Sequence, residues 1–264
     1  MIRLGVAAAG LLLAVSGCGN PSAGTPGAPT ELTVFAAASL TDVFTELGEQ
    51  YEERHRDVSV TFSFGSSATL AQQLVRGAPA DVYAAASPAP MRTVTDAGLA
   101  DAGPPVFARN RLQIAVPAGN PGGVRTLADL ARPELTVALC AVRVPCGAAS
   151  ATVLRAAGLK VTPDTYEKDV KAALTKVMLG EVDAALVYRT DVLAAGGAGA
   201  GGAVSRAGAT VEGIDVPEAA RAVNDYPITV LADAPHPGPA GDFVAYVRSP
   251  AGRTALAEAG FELP

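Results

Sequence analysis

The stretch LTVFAAASLTDVFTELGEQYEERHRDVSVTFSFGSSATLAQQLVRGAPADVYAAA, residues 32–86, decides the fold. Leu32 to Ala37 is a short apolar run closed by Ser39, the pattern of a buried strand. Leu40, Val43, Phe44, Leu47 and Tyr51 then recur at helical spacing. Val58, Val60, Phe62 and Phe64 alternate with Ser and Thr, which is a strand signature. A helix over about 69–76 and a strand over 81–86 follow. Strand, helix, strand, helix, strand is the grammar of a parallel α/β sheet.

Outward from this block the grammar repeats. Strands are expected at 111–116, 135–139, 184–188 and 226–231. Helices are expected at 126–131, 147–157, 169–179, 242–247 and 253–259. In the 169–179 helix, Val170, Leu174, Val177 and Met178 fall on one face. The run 196–202 is nearly all Gly and Ala and predicts a flexible surface loop. The α/β run over about 112–224 reads as an inserted unit, with crossovers near Phe107–Leu112 and Ala222–Tyr226. The expected architecture is therefore two α/β lobes, 31–110 with 226–264 and 111–225. A cleft between such lobes is a common ligand site.

Composition narrows the function. The 264 residues carry 20 Lys and Arg against 26 Asp and Glu, a net charge of −6, with half the chain apolar. An acidic balance with no basic run argues against nucleic acid. The two His, His55 and His236, lie far apart, and no Cys/His group has zinc-site spacing, so no bare metal cation is expected. Nothing suggests a resident cofactor.

Residues 1–17 read as an export signal: Arg3, then an apolar run from Leu4 to Val15 that is too short to span a bilayer comfortably. Val15-Ser16-Gly17-Cys18 resembles the bacterial lipobox, which makes Cys18 the lipidated mature N-terminus; an ordinary secretory signal is the alternative. Acyl chains then anchor the protein to the outer face of the cytoplasmic membrane. Residues 18–30, rich in Gly, Pro, Ser and Thr, form the tether. Without Arg3, 19 basic residues face 26 acidic ones, a mature net charge of −7. Export exposes Cys140 and Cys146 to oxidising conditions, which favours a disulfide between them over a pair of buried thiols.

Four positions stand where strands or loops become helices: Ala38-Ser39-Leu40, Ser66-Ser67-Ala68, Pro145-Cys146-Gly147 and Asp169-Val170-Lys171. Each offers backbone N–H groups without internal partners and the positive end of a helix dipole. Ser39, Ser67 and Tyr188 add hydroxyl donors. Taken singly each feature is ordinary, since a Ser at a helix start commonly caps it. Facing one cavity, they make an anion site without a buried cation.

Their joint order resembles a known family. VFAAASLTDVF (34–44), SFGSSATLAQQL (63–74), GAPADVY (77–83), VPCG (144–147), EKDVKAAL (167–174) and LVYRTDV (186–192) are similar to blocks of the periplasmic molybdate-binding proteins, the capturing subunits of molybdate ABC importers. The resemblance runs from about Leu32 to the C-terminus. It implies an α/β, two-lobed periplasmic-binding-protein fold of type II, a non-enzymatic monomer with an oxyanion held between the lobes. By motif, the implied ligands are Ser39, Ser67, Cys146, Val170 and Tyr188. GSSA departs from the family's more common Ser-rich run, which leaves open whether Ser66 shares the role of Ser67. Cys146 stands where the family often has Ala, which a backbone donor tolerates. Lys171 is expected to point outward.

Molybdate is a deprotonated dianion that accepts hydrogen bonds and donates none, so a site of donors alone suits it. Sulfate is smaller, and tungstate is nearly the same size as molybdate, so tungstate is expected to bind as well. The implied partner is a membrane permease whose ATPase drives import. Alternatives are the same fold with another oxyanion, or a lipid-anchored hydrolase. A Gly-x-Ser-x-Gly elbow is missing at Ser39 and Ser67, which disfavours the hydrolase.

Overall fold

The computed structural model describes residues 28–196 and 211–264. The expected signal, Cys18, most of the tether and nearly all of the Gly/Ala run at 196–202 lie outside these residues.

The decisive N-terminal stretch folds as its pattern predicts. Strand β1 (Thr30–Ala37) runs into a 3₁₀ turn (Ala38–Leu40) and helix α1 (Thr41–Arg54), followed by β2 (Val58–Gly65), α2 (Ser67–Val75) and β3 (Val82–Ala84). β1 lies parallel to β2, from Thr30 beside Val58 to Ala37 beside Gly65, and parallel to β3 on its other side. Both faces of β1 are covered, which explains its unbroken apolar run. Leu32, Val34 and Ala36 pack with Phe44, Leu47 and Phe243 on one side, while Phe35 packs with Leu70, Leu74 and Met91 on the other.

The remaining elements are α3 (Pro88–Asp96), β4 (Val106–Asn110), β5 (Leu112–Pro117), β6 (Val137–Cys140), α4 (Pro145–Ala156), β7 (Thr165–Glu167), α5 (Val170–Met178), β8 (Ala184–Tyr188), α6 (Arg189–Ala194), β9 (Val211–Asp215), β10 (Asn224–Val230), α7 (Pro237–Arg248) and α8 (Pro250–Glu258). They form two five-stranded sheets, ordered β2-β1-β3-β10-β4 and β7-β6-β8-β5-β9. The chain passes from the first sheet to the second between Asn110 and Leu112, and returns through β10.

Several expectations need correction. The sheets are mixed and not purely parallel: β10 runs antiparallel to β3 and β4, and β5 antiparallel to β8 and β9. Both β10 and β5 follow a change of sheet, and each enters its new sheet from the opposite end. The 126–131 segment is a 3₁₀ helix, Leu127–Ala131. Met178 is exposed, and Ala173 takes its place beside Val170, Leu174 and Val177. Helix α3 and strands β4, β7 and β9 were not expected. β4 is short and carries exposed Arg109, whose backbone exchanges two hydrogen bonds with distant Glu262 (2.7 and 2.9 Å). That pairing is tertiary and leaves no local pattern.

This topology positions the site. β1, β2 and β3 are mutually parallel neighbours, as are β7, β6 and β8. Their C-terminal ends therefore lie along one edge of each sheet, where α/β folds bind ligands.

Candidate functional site

Ser39 sits in the 3₁₀ turn directly after β1 and is buried. Its Oγ lies 2.8 Å from the Tyr226 Oη of β10. Asn110 Nδ2, at the crossover, donates to that same Tyr226 oxygen (3.4 Å) and to Thr190 Oγ1 (2.8 Å). Either hydroxyl of the Ser39–Tyr226 pair can donate; when Tyr226 donates, the Ser39 proton is left to donate onward. Burial, first of all, raises the Tyr226 pKa, so this phenol stays protonated at neutral pH. Tyr226 and Asn110 were absent from the expected site. In sequence Tyr226 is one more apolar strand residue, and nothing local singles it out.

Ser67 opens α2. Its Oγ accepts from the Ala86 N–H (2.9 Å), and its carbonyl accepts from Tyr83 Oη (2.7 Å). The Ser67 proton is thus also free to donate. The conventional role is not taken: neither Ser66 nor Ser67 caps the helix through its side chain. Ser66 Oγ is buried and has no hydrogen-bond partner among the described residues.

The second sheet contributes mainly backbone. Pro145 is the first residue of α4 and brings no N–H, which leaves those of Cys146 and Gly147 without an intrahelical acceptor. Cys140 and Cys146 are disulfide-bonded, tying this first turn to the end of β6. The approach is so close that a Cβ on Gly147 would lie 2.0 Å from the Ala141 carbonyl oxygen. At α5 the Asp169 carboxylate accepts from the Ala172 N–H (2.9 Å). The earlier N–H groups, of Val170 and Lys171, have no acceptor within the helix. Tyr188 ends β8 with 1% exposure, and its Oη makes no hydrogen bond among the described residues. Burial raises its pKa well above the ordinary phenol value, so it too remains a neutral donor.

Ser39, Ser66, Ser67, Cys146, Val170 and Tyr188 line one cavity of about 220 Å³ of atom-free space, open solvent included. The cavity thus gathers all five expected residues and Ser66. The one ionisable side chain in its lining besides the phenol is Asp169, already engaged at the α5 cap.

Lys171 departs from expectation. Its side chain does not point out to solvent; it is 28% exposed, and Nζ lies 2.6 Å from Asp42 Oδ2 and 3.5 Å from Asp191 Oδ1. Burial works against the ammonium, but Asp191 and Asp42 outweigh it and hold its pKa above the ordinary value. Burial pushes the Asp191 carboxyl up to about 6, opposed by Lys171. Asp191 lies in the first turn of α6 and was hidden in the sequence as a surface-like charge.

A small cavity between two α/β sheets, lined by hydroxyls and helix N-termini drawn from both, defines a two-lobed binding protein for a compact anion. The family of bacterial extracellular solute-binding proteins matches residues 32–262, and the chain belongs to it, among the molybdate-binding members. It is 40% identical, over 100% of its length and 98% of the relative's, to the molybdate-binding protein ModA of Mycobacterium tuberculosis. It is 34% identical to ModA of Haemophilus influenzae over 62% of this chain and 68% of that one. The solved periplasmic molybdate-binding protein of Azotobacter vinelandii superposes with a TM-score of 0.71 at 19% identity, covering 88% of this chain and 99% of that one. The sulfate-binding protein SubI of Mycobacterium tuberculosis gives 0.74 at 20% identity, covering 89% and 87%. The structural likenesses establish the two-lobed α/β fold. The family makes the chain an exported binding protein and not an enzyme. Among the described residues no helix is long and apolar enough to cross a membrane.

Proposed function

We propose that this protein captures molybdate, and tungstate with little discrimination, between lobes 31–110 with 226–264 and 111–225, and delivers it to an ABC importer permease. The ligands are Ser39, Ser67, Cys146, Val170 and Tyr188, with Ser66 as a sixth. One observation carries this reading: two buried hydroxyls, Ser66 Oγ and Tyr188 Oη, have no partner among the described residues and border the same small cavity. Buried polar groups are rarely left unpaired, because each costs about 1–3 kcal/mol. A tetrahedral oxyanion supplies the acceptors for these hydroxyls and for the free N–H groups of α4 and α5. The name of the 40%-identical relative supports molybdate as that oxyanion.

The donor set also supports selectivity. A protonated oxyanion such as hydrogen phosphate brings a proton of its own, and the ligand positions carry no carboxylate to accept it, so a hydroxyl would have to accept where it otherwise donates. Closure follows from differential affinity, because contacts from both lobes exist together only when the lobes meet. Export and lipidation at Cys18 place the protein on the outer face of the cytoplasmic membrane, with residues 18–30 as its tether.

Calorimetric titration of the mature domain with molybdate, tungstate, sulfate and phosphate tests the reading. Molybdate and tungstate are expected to bind with comparable affinity, and sulfate and phosphate far more weakly. Sulfate binding as tight as molybdate would overturn the assignment.

A further inference from the structure

We infer that Lys171 is a positioning residue that latches the two lobes over the bound oxyanion through Asp42. The inference deepens the proposed capture of molybdate and rests on it.

The geometry is specific. Lys171 follows Val170 at the start of α5, Asp42 stands three residues after Ser39 in α1, and Asp191 stands three residues after Tyr188 in α6. One ammonium therefore joins three of the segments that border the cavity. Yet Lys171 does not itself line the cavity, so it acts on how the segments are held and not as a ligand.

Its two partners differ. Asp191 belongs with Lys171 to the second lobe, and its side chain is fully buried. Its Oδ2 accepts from the Tyr188 N–H (3.2 Å), while Oδ1 has no hydrogen bond and faces the ammonium at 3.5 Å. A buried carboxylate needs that cation whether the cleft is open or shut. Asp42 belongs to the first lobe, is 60% exposed, and lies 129 residues away in sequence. The 2.6 Å contact to it crosses from lobe to lobe and exists only when they are close. Lys171 thus has one permanent partner and one conditional partner. The permanent one fixes the ammonium beside the cleft, so that closure adds the second contact with little further ordering of the side chain.

The two arms make separable predictions for the mature domain, with molybdate as the probe. Asp42→Asn removes the conditional arm, and with it one acidic charge in the first turn of α1. Exposed ion pairs are worth up to about fivefold in an equilibrium constant, so molybdate should dissociate about two- to fivefold faster, with association unchanged. Raising the salt concentration should shrink the gap from wild type, and Asp42→Glu should narrow it too. Lys171→Met should lower the melting temperature, because it strands Asp191, and should also speed dissociation. The double variant Lys171→Met, Asp191→Asn should recover the melting temperature but keep the fast dissociation, which a merely structural lysine would not do. Wild-type dissociation rates in Asp42→Asn, or in the double variant, would overturn the latch while leaving molybdate capture intact. Failure of the wild-type domain to bind molybdate would instead bring down the functional reading, and the latch with it.

Discussion

The two lobes approach the cavity with different chemistry. The first presents side-chain hydroxyls, Ser39, Ser66 and Ser67; two of them are oriented by neighbours, Tyr226 for Ser39 and the Ala86 N–H for Ser67. The second presents backbone N–H groups at the starts of α4 and α5, with Tyr188 as its one hydroxyl. A hydroxyl is exchanged by a single substitution. A backbone donor has no side chain to remove, and only the geometry of its helix start can be changed. The second half-site is accordingly fastened at its helix starts, by a disulfide at α4 and a carboxylate cap at α5.

The contrast is broken most sharply at Gly147. A methyl group there meets the Ala141 carbonyl oxygen at 2.0 Å, backbone against backbone, so the first turn of α4 must move. Gly147→Ala is expected to abolish molybdate binding in calorimetry and to lower the melting temperature, although no ligand side chain is altered. Binding at wild-type strength would mean that α4 contributes nothing.

Next come the hydroxyls. Ser39→Ala or Ser67→Ala should each weaken molybdate binding by about 1.5–3 kcal/mol, the range for hydrogen bonds to charged groups. Val170→Ala keeps its N–H and should weaken molybdate binding less than either serine substitution, although it trims a buried core side chain and lowers the melting temperature. Equal losses at Ser39 and Val170 would erase the distinction between the lobes.

The disulfide probes fastening alone. Reducing the Cys140–Cys146 bond should cost about 2 kcal/mol of stability for so short a loop, by the chain-entropy relation. Denaturant unfolding with and without reductant measures it.

Stability also carries a pH dependence. Burial holds the Asp191 carboxyl at about 6 in the folded protein, against an ordinary 3.8. Between those values the folded state binds more protons than the unfolded state, so this residue's contribution to stability is full below about pH 4 and is lost as pH rises through 6. Asp191→Asn should flatten that part of the curve in urea unfolding from pH 4 to 7; an unchanged slope would show that the carboxyl titrates normally.

Much of this was legible from one dimension. The apolar runs and alternations placed β1, β2, β6 and β8, because each strand's burial is written in its own few residues. The places where strands turn into helices marked residues that line one cavity, because an N-terminal helix turn carries its donors wherever it is found. The edge strands β7 and β9 were not legible: they are three and five residues long and carry no alternating pattern. Nor was α3, whose Pro-Ala-Pro start reads locally as a loop although it suits a first helical turn.

The sequence alone determined which segments fold locally, which of them end in free donors, and that Cys140 and Cys146 lie near enough to pair. Only the tertiary structure decided what those donors meet. Tyr226 reaches Ser39 across 187 residues, and Lys171 reaches Asp42 across 129. Periodicity extends over a few turns of chain and says nothing at such separations. A lysine written on the polar side of a helix is therefore read as solvated, until two sheets come together and place carboxylates on both sides of it.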